Sequence, residues 1–326
     1  MDSLREVIDM RRREFLSTVA AAGVGAAAAA GITSADDQPQ KRLPTRPLGD
    51  TGKALSIVGL GGLVVAKVPQ QEANDIVAWA WDKGVNYYDV APTYYDAQDR
   101  LGPALEPYRD KAFLACKTVR RDAEGALAEL ENSLKVLRTD HFDLYQFHGV
   151  TKTEEVDQIM APGGAMETFL KAREQGKIGL IGFSAHSIEA ALLMLDRFNF
   201  DTVLFPLNVV CWENGNFGPQ LVAKAKEKGA KLLAIKAMAW TPLQPGEEKK
   251  YPKAWYRPND DPDLSGLAIR YTLDLPVVSI IPPADDRLFK IAVDKAMDYR
   301  PLTQPERDRL IASIESVKPI FSTQEA

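Results

Sequence analysis

The stretch AFLACKTVRRDAEGALAELENSLKVLRTDHFDLYQFHG, residues 112–149, reads as one complete strand–helix–strand unit. An apolar run at 112–116 ends on Lys117, an amphipathic segment follows at 123–137, and a second apolar run at 142–147 ends on His148. Short runs that are apolar on both faces belong to a parallel sheet covered by helices, because a half-exposed strand would alternate.

The unit recurs outward in both directions. Strands are predicted at 57–60, 85–88, 112–116, 142–147, 178–183, 202–207, 231–235 and 277–281. Helices are predicted at 72–83, 98–106, 123–137, 165–175, 188–198, 219–228 and 264–273, with another after Asp285. Glycine follows Lys83, Gln175 and Lys228, where a helix can stop in the left-handed conformation. Eight strands alternating with eight helices predict a (β/α)8 TIM barrel of the α/β class. LGDTGK at 48–53 predicts the turn of an N-terminal β-hairpin. A doubly wound open sheet is the alternative, but Gly59-Leu60-Gly61-Gly62 is a poor substitute for the glycine-rich phosphate turn it needs.

A barrel gathers its chemistry at the carboxyl-terminal strand ends. Asp89, Lys117, His148, Ser184 and Lys236 all fall at or just past such ends, and Tyr94 follows Asp89 by five residues. Asp89, Lys117 and His148 recur at about the length of one strand–helix repeat, so neighbouring strands could present all three. Singly, each has an ordinary explanation as a helix cap, a solvated lysine, a loop aromatic or a buried histidine. Jointly they can make a proton donor for a carbonyl. A phenol titrating near ~10 is a weak donor at neutral pH, and an adjacent ammonium lowers that value. A carboxylate keeps the ammonium charged, and an imidazole can hydrogen-bond the carbonyl oxygen. None of these groups carries a hydride, so the set implies a nicotinamide cofactor.

Nearly the whole chain after the N-terminal segment resembles the aldo-keto reductase superfamily. The resemblance rests on RPLGDTGKALSIVGLGG, GVNYYDVAPTYYDAQDRLGPAL, the Lys117 strand, ENSLKVLRTDHFDLYQFHG and KAREQGKIGLIGFSAH. It implies Tyr94 as general acid, Lys117 as the group that lowers its pKa, Asp89 as the partner of Lys117, and His148 as the group orienting the carbonyl. It implies Ser184 at the nicotinamide carboxamide. Departures follow: Ala185 replaces the usual asparagine, Leu204 the usual glutamine, and Ile235 the usual stacking aromatic. Asn208 and His186 are the candidate replacements among polar groups. Lys236 is either a solvated strand-end lysine or a cofactor or phosphate contact. After the last strand, Asp285 and Asp286 would repel a 2′-phosphate that Arg287 would attract. The resemblance implies NADP(H), with NAD(H) left open.

The loop at 239–262 carries Trp240, Trp255, Tyr256 and Arg257, which could wall a substrate pocket or simply pack on the barrel rim. Cys116 and Cys211 lack metal-ligand spacing and read as free thiols. The formal net charge of −5 argues against a nucleic-acid surface.

At the amino end, Arg11-Arg12-Arg13-Glu14-Phe15-Leu16 precedes an alanine- and glycine-rich run to Gly31. This reads as a twin-arginine export signal removed after about Ala35, recognised by the Tat translocon and delivering the protein to the periplasm. Residues 36–47 read as a linker and 48–326 as the barrel. The run is too rich in small residues for a stable membrane span, which needs ~20 strongly apolar residues.

The leading expectation is an NAD(P)-dependent oxidoreductase acting on an aldehyde, ketone or sugar. An exported binding barrel without turnover is the second reading. A Schiff-base lyase, prompted by Lys117 and Lys236, is the third.

Overall fold

The computed structural model describes residues 41–323. The export signal and the start of the linker lie outside the described residues. Β-structure begins with a hairpin of β1 (Thr45–Pro47) and β2 (Ala54–Ser56), so the end of the expected linker is already strand. The eight barrel strands follow as β3 (Leu60–Gly61), β4 (Tyr87–Asp89), β5 (Phe113–Thr118), β6 (Phe142–Val150), β7 (Ile178–Ala185), β8 (Thr202–Pro206), β9 (Lys231–Ile235) and, last, a strand at Val277–Ile281. Between β9 and that last strand, the long loop forms an unexpected antiparallel ribbon, β10 (Ala239–Pro242) with β11 (Tyr256–Pro258), which makes the last strand β12.

All eight barrel strands are parallel and lie in sequence order. The ring closes between its first and last strands. Gly59 N–H donates to Ile280 O at 2.9 Å, and Ile280 N–H donates to Ile57 O at 3.0 Å. The expected first strand at 57–60 is therefore this closing segment, with regular pairing only at its end. Gly59 permits the closure because a Cβ there would lie 2.5 Å from the Tyr87 ring.

The helices are α1 (Gln70–Asp82), α2 (Ala97–Leu105), α3 (Ala123–Val136), α4 (Thr153–Met160), α5 (Ala165–Glu174), α6 (Ile188–Arg197), α7 (Val209–Glu213), α8 (Pro219–Lys228), α9 (Pro262–Asp274), α10 (Asp286–Ala296) and α11 (Gln304–Ile314). α4, α7 and α11 were not expected. α11 did carry a signature: Glu306 accepts from both the N–H and hydroxyl of Thr303 at 2.9 Å, a capping box written as Thr-x-x-Glu.

Strand period 2 explains the two cores. Outward residues such as Tyr88, Leu114, Tyr145, Phe147, Ile181, Phe183, Val203 and Phe205 pack in the cluster that includes the helices. Tyr87, Phe113, Ala115, Leu144, Leu204, Leu233 and Val278 share the interior with Leu48 and Leu55 of the hairpin, which plugs the amino-terminal end. Arg46 fixes that plug by donating to Val277 O at 2.6 Å and Leu273 O at 2.9 Å. Among the described residues no helix is long and apolar enough to cross a membrane.

Candidate active site

The interior face continues upward from the apolar layer. Two residues beyond Tyr87 stands Asp89, two beyond Ala115 stands Lys117, and two and four beyond Leu144 stand Gln146 and His148. Alternation puts each on the same face as the apolar residue below it, and Lys117 is register partner to Gln146. A charged layer therefore caps a dry one.

Lys117 is fully buried and forms an ion pair with Asp89, itself 3% exposed. Asp89 also accepts from Gln146 Nε2 at 2.9 Å and Tyr87 OH at 3.2 Å, while Lys117 Nζ donates to Val90 O at 3.2 Å. Burial pushes the Lys117 pKa down, but Asp89, Tyr94 and the Asp89 hydrogen bond outweigh it, so the net direction is up.

Tyr94 sits in the turn after β4, with Lys117 Nζ 5.0 Å from its ring centroid. Its ring meets His148 edge-on, centroids 5.4 Å apart and planes at 83°. Burial raises the phenol pKa and Asp89 adds to this; the charge and hydrogen bond of Lys117 lower it, and the net direction is up. Sequence reasoning expected a net lowering. Lys117 does act in that direction, but burial of the phenol is the larger effect.

His148 is held well below the ordinary imidazole pKa by burial first, then by the charge of Lys117, with His186, Arg121 and Lys236 acting the same way. The neutral ring has Nδ1 3.4 Å from Thr93 Oγ1. If that hydroxyl donates, the proton is assigned to Nε2, which is then a hydrogen-bond donor. Arg121 steadies the backbone here: Nη2 donates to His148 O at 2.9 Å and pairs with Glu155 at 2.9 Å.

A cleft opens beside this group. Its lining includes Asp89, Tyr94, Ile235, Lys236, Lys253 and Trp255. Trp255 and Tyr256 thus do wall the cleft, whereas Trp240 packs with the helices around α9, and Arg257 pairs with Glu247 at 2.7 Å. Lys253 Nζ donates to Val64 O at 2.9 Å and Ala66 O at 3.2 Å, tying the ribbon loop to the segment after β3.

The expected cofactor residues divide. Ser184 is the penultimate residue of β7, and its hydroxyl accepts from Gly149 N–H at 2.8 Å, leaving its own proton free to donate. Lys236 lines the cleft. Asn208 does not: it is fully buried, and its Oδ1 accepts from Cys211 N–H at 2.9 Å, capping α7. Arg287 is exposed and grips Asp285 through two contacts of 3.0 and 3.1 Å, so one expected repulsive carboxylate is already neutralised by it. Both cysteines are buried and free. Among the described residues no cluster suits a metal ion.

Sequence reading missed Gln146 and Phe321. Gln146 had a signal: an amide in an apolar strand, two residues before His148. Phe321 stacks on His186 with centroids 5.4 Å apart and on Phe217 at 5.1 Å, a placement no local pattern foretells.

A closed parallel barrel thus carries an Asp–Lys pair, a phenol and an imidazole at its carboxyl-terminal mouth. Residues 57–294 match the Aldo/keto reductase family, and the chain belongs to it. Aldo-keto reductases use nicotinamide cofactors. The chain is 32% identical to aldo-keto reductase YhdN of Bacillus subtilis over 161 residues, 44% of this chain and 47% of that protein. It therefore spans about half the length of that relative. It is 26% identical to L-galactose dehydrogenase of Arabidopsis thaliana over 261 residues, 71% of this chain and 81% of the other. A Bombyx mori aldo-keto reductase solved in complex with NADP superposes with TM-score 0.61 at 20% identity, covering 82% of this chain and 92% of that one. At that identity the likeness shows the fold alone.

Proposed function

We propose that the protein interconverts a carbonyl compound and its alcohol, with Tyr94 as general acid in reduction and general base in oxidation. NADP(H) is the proposed cofactor, and NAD(H) the alternative; the NADP-bound structural neighbour supports the first. The bound nicotinamide supplies or accepts the hydride. The observation that carries the reading is the Asp89–Lys117 pair, buried within 5.0 Å of the Tyr94 ring and beside His148.

The residues present fit a dinucleotide. Ser184 has a free hydroxyl proton for an amide, and Lys236 puts an amine in the cleft for an anion. His148 would donate from Nε2 to the substrate oxygen, fixing the carbonyl against Tyr94. Lys117 would then stabilise the phenolate left when Tyr94 gives up its proton. Asp89 keeps that ammonium in place, and Gln146 keeps Asp89 in place.

The similarity to an L-galactose dehydrogenase supports including sugars with aldehydes and ketones in the substrate range. A cofactor-dependent screen over these three classes, run beside Tyr94→Phe, tests the reading. Loss of turnover with retained cofactor binding is the expected result; turnover undiminished in the variant overturns it.

We further propose, from Arg11–Arg13 and the following small-residue run, export of the folded protein by the twin-arginine route with cofactor already bound. Native mass spectrometry of periplasmic protein checks this. Empty protein in that compartment would count against it.

A further inference from the structure

Lys236 is the first residue after β9 and takes a left-handed backbone conformation, φ 63°, that L-residues adopt at a cost. The turn sends its side chain into the cleft shared with Tyr94. There, among the described residues, its one side-chain hydrogen-bond partner is an imidazole: Nζ lies 3.1 Å from His186 Nε2. His186 comes from the loop after β7, and its ring is stacked almost parallel to Phe321. The Lys236 amine lies 5.9 Å from the Trp255 ring centroid and 6.0 Å from that of Phe321.

Among the described residues no carboxylate comes within ion-pair distance of Lys236. The titratable groups around it are His186, Lys117 from β5 and Cys211 from α7, with His148 of β6 within electrostatic reach and Asp89, Tyr94, Lys253 and Tyr256 lining the same cleft. Lys117 repels a charge on Lys236, whereas both imidazoles are held neutral and supply no counter-charge. Burial and Lys117 bring its pKa from the ordinary lysine value to about 7, against an opposing effect of Cys211. His186, held to about 3 by burial and by Lys236, stays neutral and can accept one N–H. An ammonium has three donors. Among the described residues, protein side chains engage one.

We propose that Lys236 and His186 form a seat for one oxyanion of a bound ligand, and that filling the seat takes up a proton from solution. The proposal rests on the reading above only in assigning the cleft to ligands. The oxyanion is either a phosphate of the cofactor or a carboxylate on the carbonyl substrate. His186 holds the amine in place, and the anion supplies the counter-charge that the fold omits. An amine near half-charge at neutral pH becomes a full ammonium when a fixed anion joins it.

Isothermal titration calorimetry in two buffers of different ionisation enthalpy measures the proton directly. The probes are NADPH, NADH, inorganic pyrophosphate, and glyoxylate against the neutral propionaldehyde. The wild-type protein should take up close to one proton per site at about pH 8 and almost none at about pH 6 with whichever anion fills the seat. Uptake with NADPH and pyrophosphate assigns the seat to the cofactor; uptake with glyoxylate alone assigns it to the substrate. Lys236→Arg should still bind that anion but take up no proton, since arginine is charged throughout. Lys236→Met should weaken it about tenfold or more, with circular dichroism confirming the fold of both variants.

Anion binding without proton uptake in the wild type, unchanged affinity in Lys236→Met, or no binding of any anion overturns the proposal. Failure of the oxidoreductase reading looks different: neither NADPH nor NADH binds, while pyrophosphate or glyoxylate still binds with uptake.

Discussion

Lys117 and Asp89 form a buried ion pair, the lysine 0% and the aspartate 3% exposed, with the centre of the Tyr94 ring 5.0 Å from the ammonium. Such a pair costs desolvation on both sides, so its presence in the upper layer of the barrel interior is weak evidence for stability. Its position under the phenol gives it a chemical use instead.

Removing one member leaves the other charge uncompensated. Asp89→Asn is expected to destabilise the protein by about 3–5 kcal/mol, the usual consequence of breaking a buried pair. It should also lower the Lys117 pKa and cut turnover. Urea unfolding together with initial rates checks both. An unchanged unfolding midpoint would mean that the pair is open to water in solution.

Tyr94→Phe keeps the ring and deletes only the hydroxyl. Turnover should fall by about 10²- to 10⁴-fold, the range for losing a general acid, while cofactor affinity measured by fluorescence titration stays within about twofold.

The directions of the pKa shifts set the pH profile. Because burial raises the Tyr94 phenol above its ordinary value, the reductive rate should hold as pH rises from about 6 to 9, with no loss from Tyr94 deprotonation. Because His148 is depressed by burial and by Lys117, no inflection should appear at the ordinary imidazole value either. In kcat at saturating cofactor and substrate, where a bound anion keeps Lys236 charged, a reductive limb falling with a midpoint near 7 or 8 would contradict both assignments.

Gln146→Leu tests the support beneath the pair. It removes the 2.9 Å hydrogen bond to Asp89 Oδ2 but leaves Lys117 and Tyr87 in contact with that carboxylate. A loss of about 1–3 kcal/mol in transition-state stabilisation is expected, read as a drop in kcat with KM little changed. A KM effect alone would place Gln146 in substrate binding.

Lys236 makes a prediction about stability as well. Its folded pKa is about 7 and the ordinary value is 10.5, so between these the unfolded chain binds more protons than the folded one. Stability should therefore rise with pH across that window, and the cost of burying the ammonium should be complete below about pH 7. Lys236→Met should melt above the wild type near pH 6, and the difference should close toward pH 10. Thermal melts at both pH values check the sign.

The barrel was legible because its signals are local. Each strand carries its own apolar run, and each helix its own stripe, so order and type could be read segment by segment. Departures fell where a different rule governed. The ribbon of β10 and β11 lies in a loop whose prolines and aromatics carry no clear period 2. The segment at 57–60 was expected as an ordinary strand, but most of it serves to close the ring. α11, polar along most of its length, announced itself only through Thr303 and Glu306.

The candidate site divides in the same way. Its four catalytic candidates could be named because strand ends are fixed by strand runs, and alternation carries Asp89, Lys117 and His148 onto one face. The fates of Asn208 and Arg287 could not, since each is decided by a nearby competitor: a helix needing a cap and a carboxylate offering a bidentate grip. Phe321 reaches His186 from the far end of the chain.

The amino-acid order by itself determined an eightfold strand–helix alternation and which polar groups ride at the strand tips, because periodicity and spacing are properties of neighbours. Only the tertiary structure decided that the Tyr94 phenol titrates upward, that Gln146 braces Asp89, and that Lys236 faces an imidazole instead of a carboxylate. Desolvation and charge balance depend on what distant segments bring into contact, and that is fixed only when the ring closes.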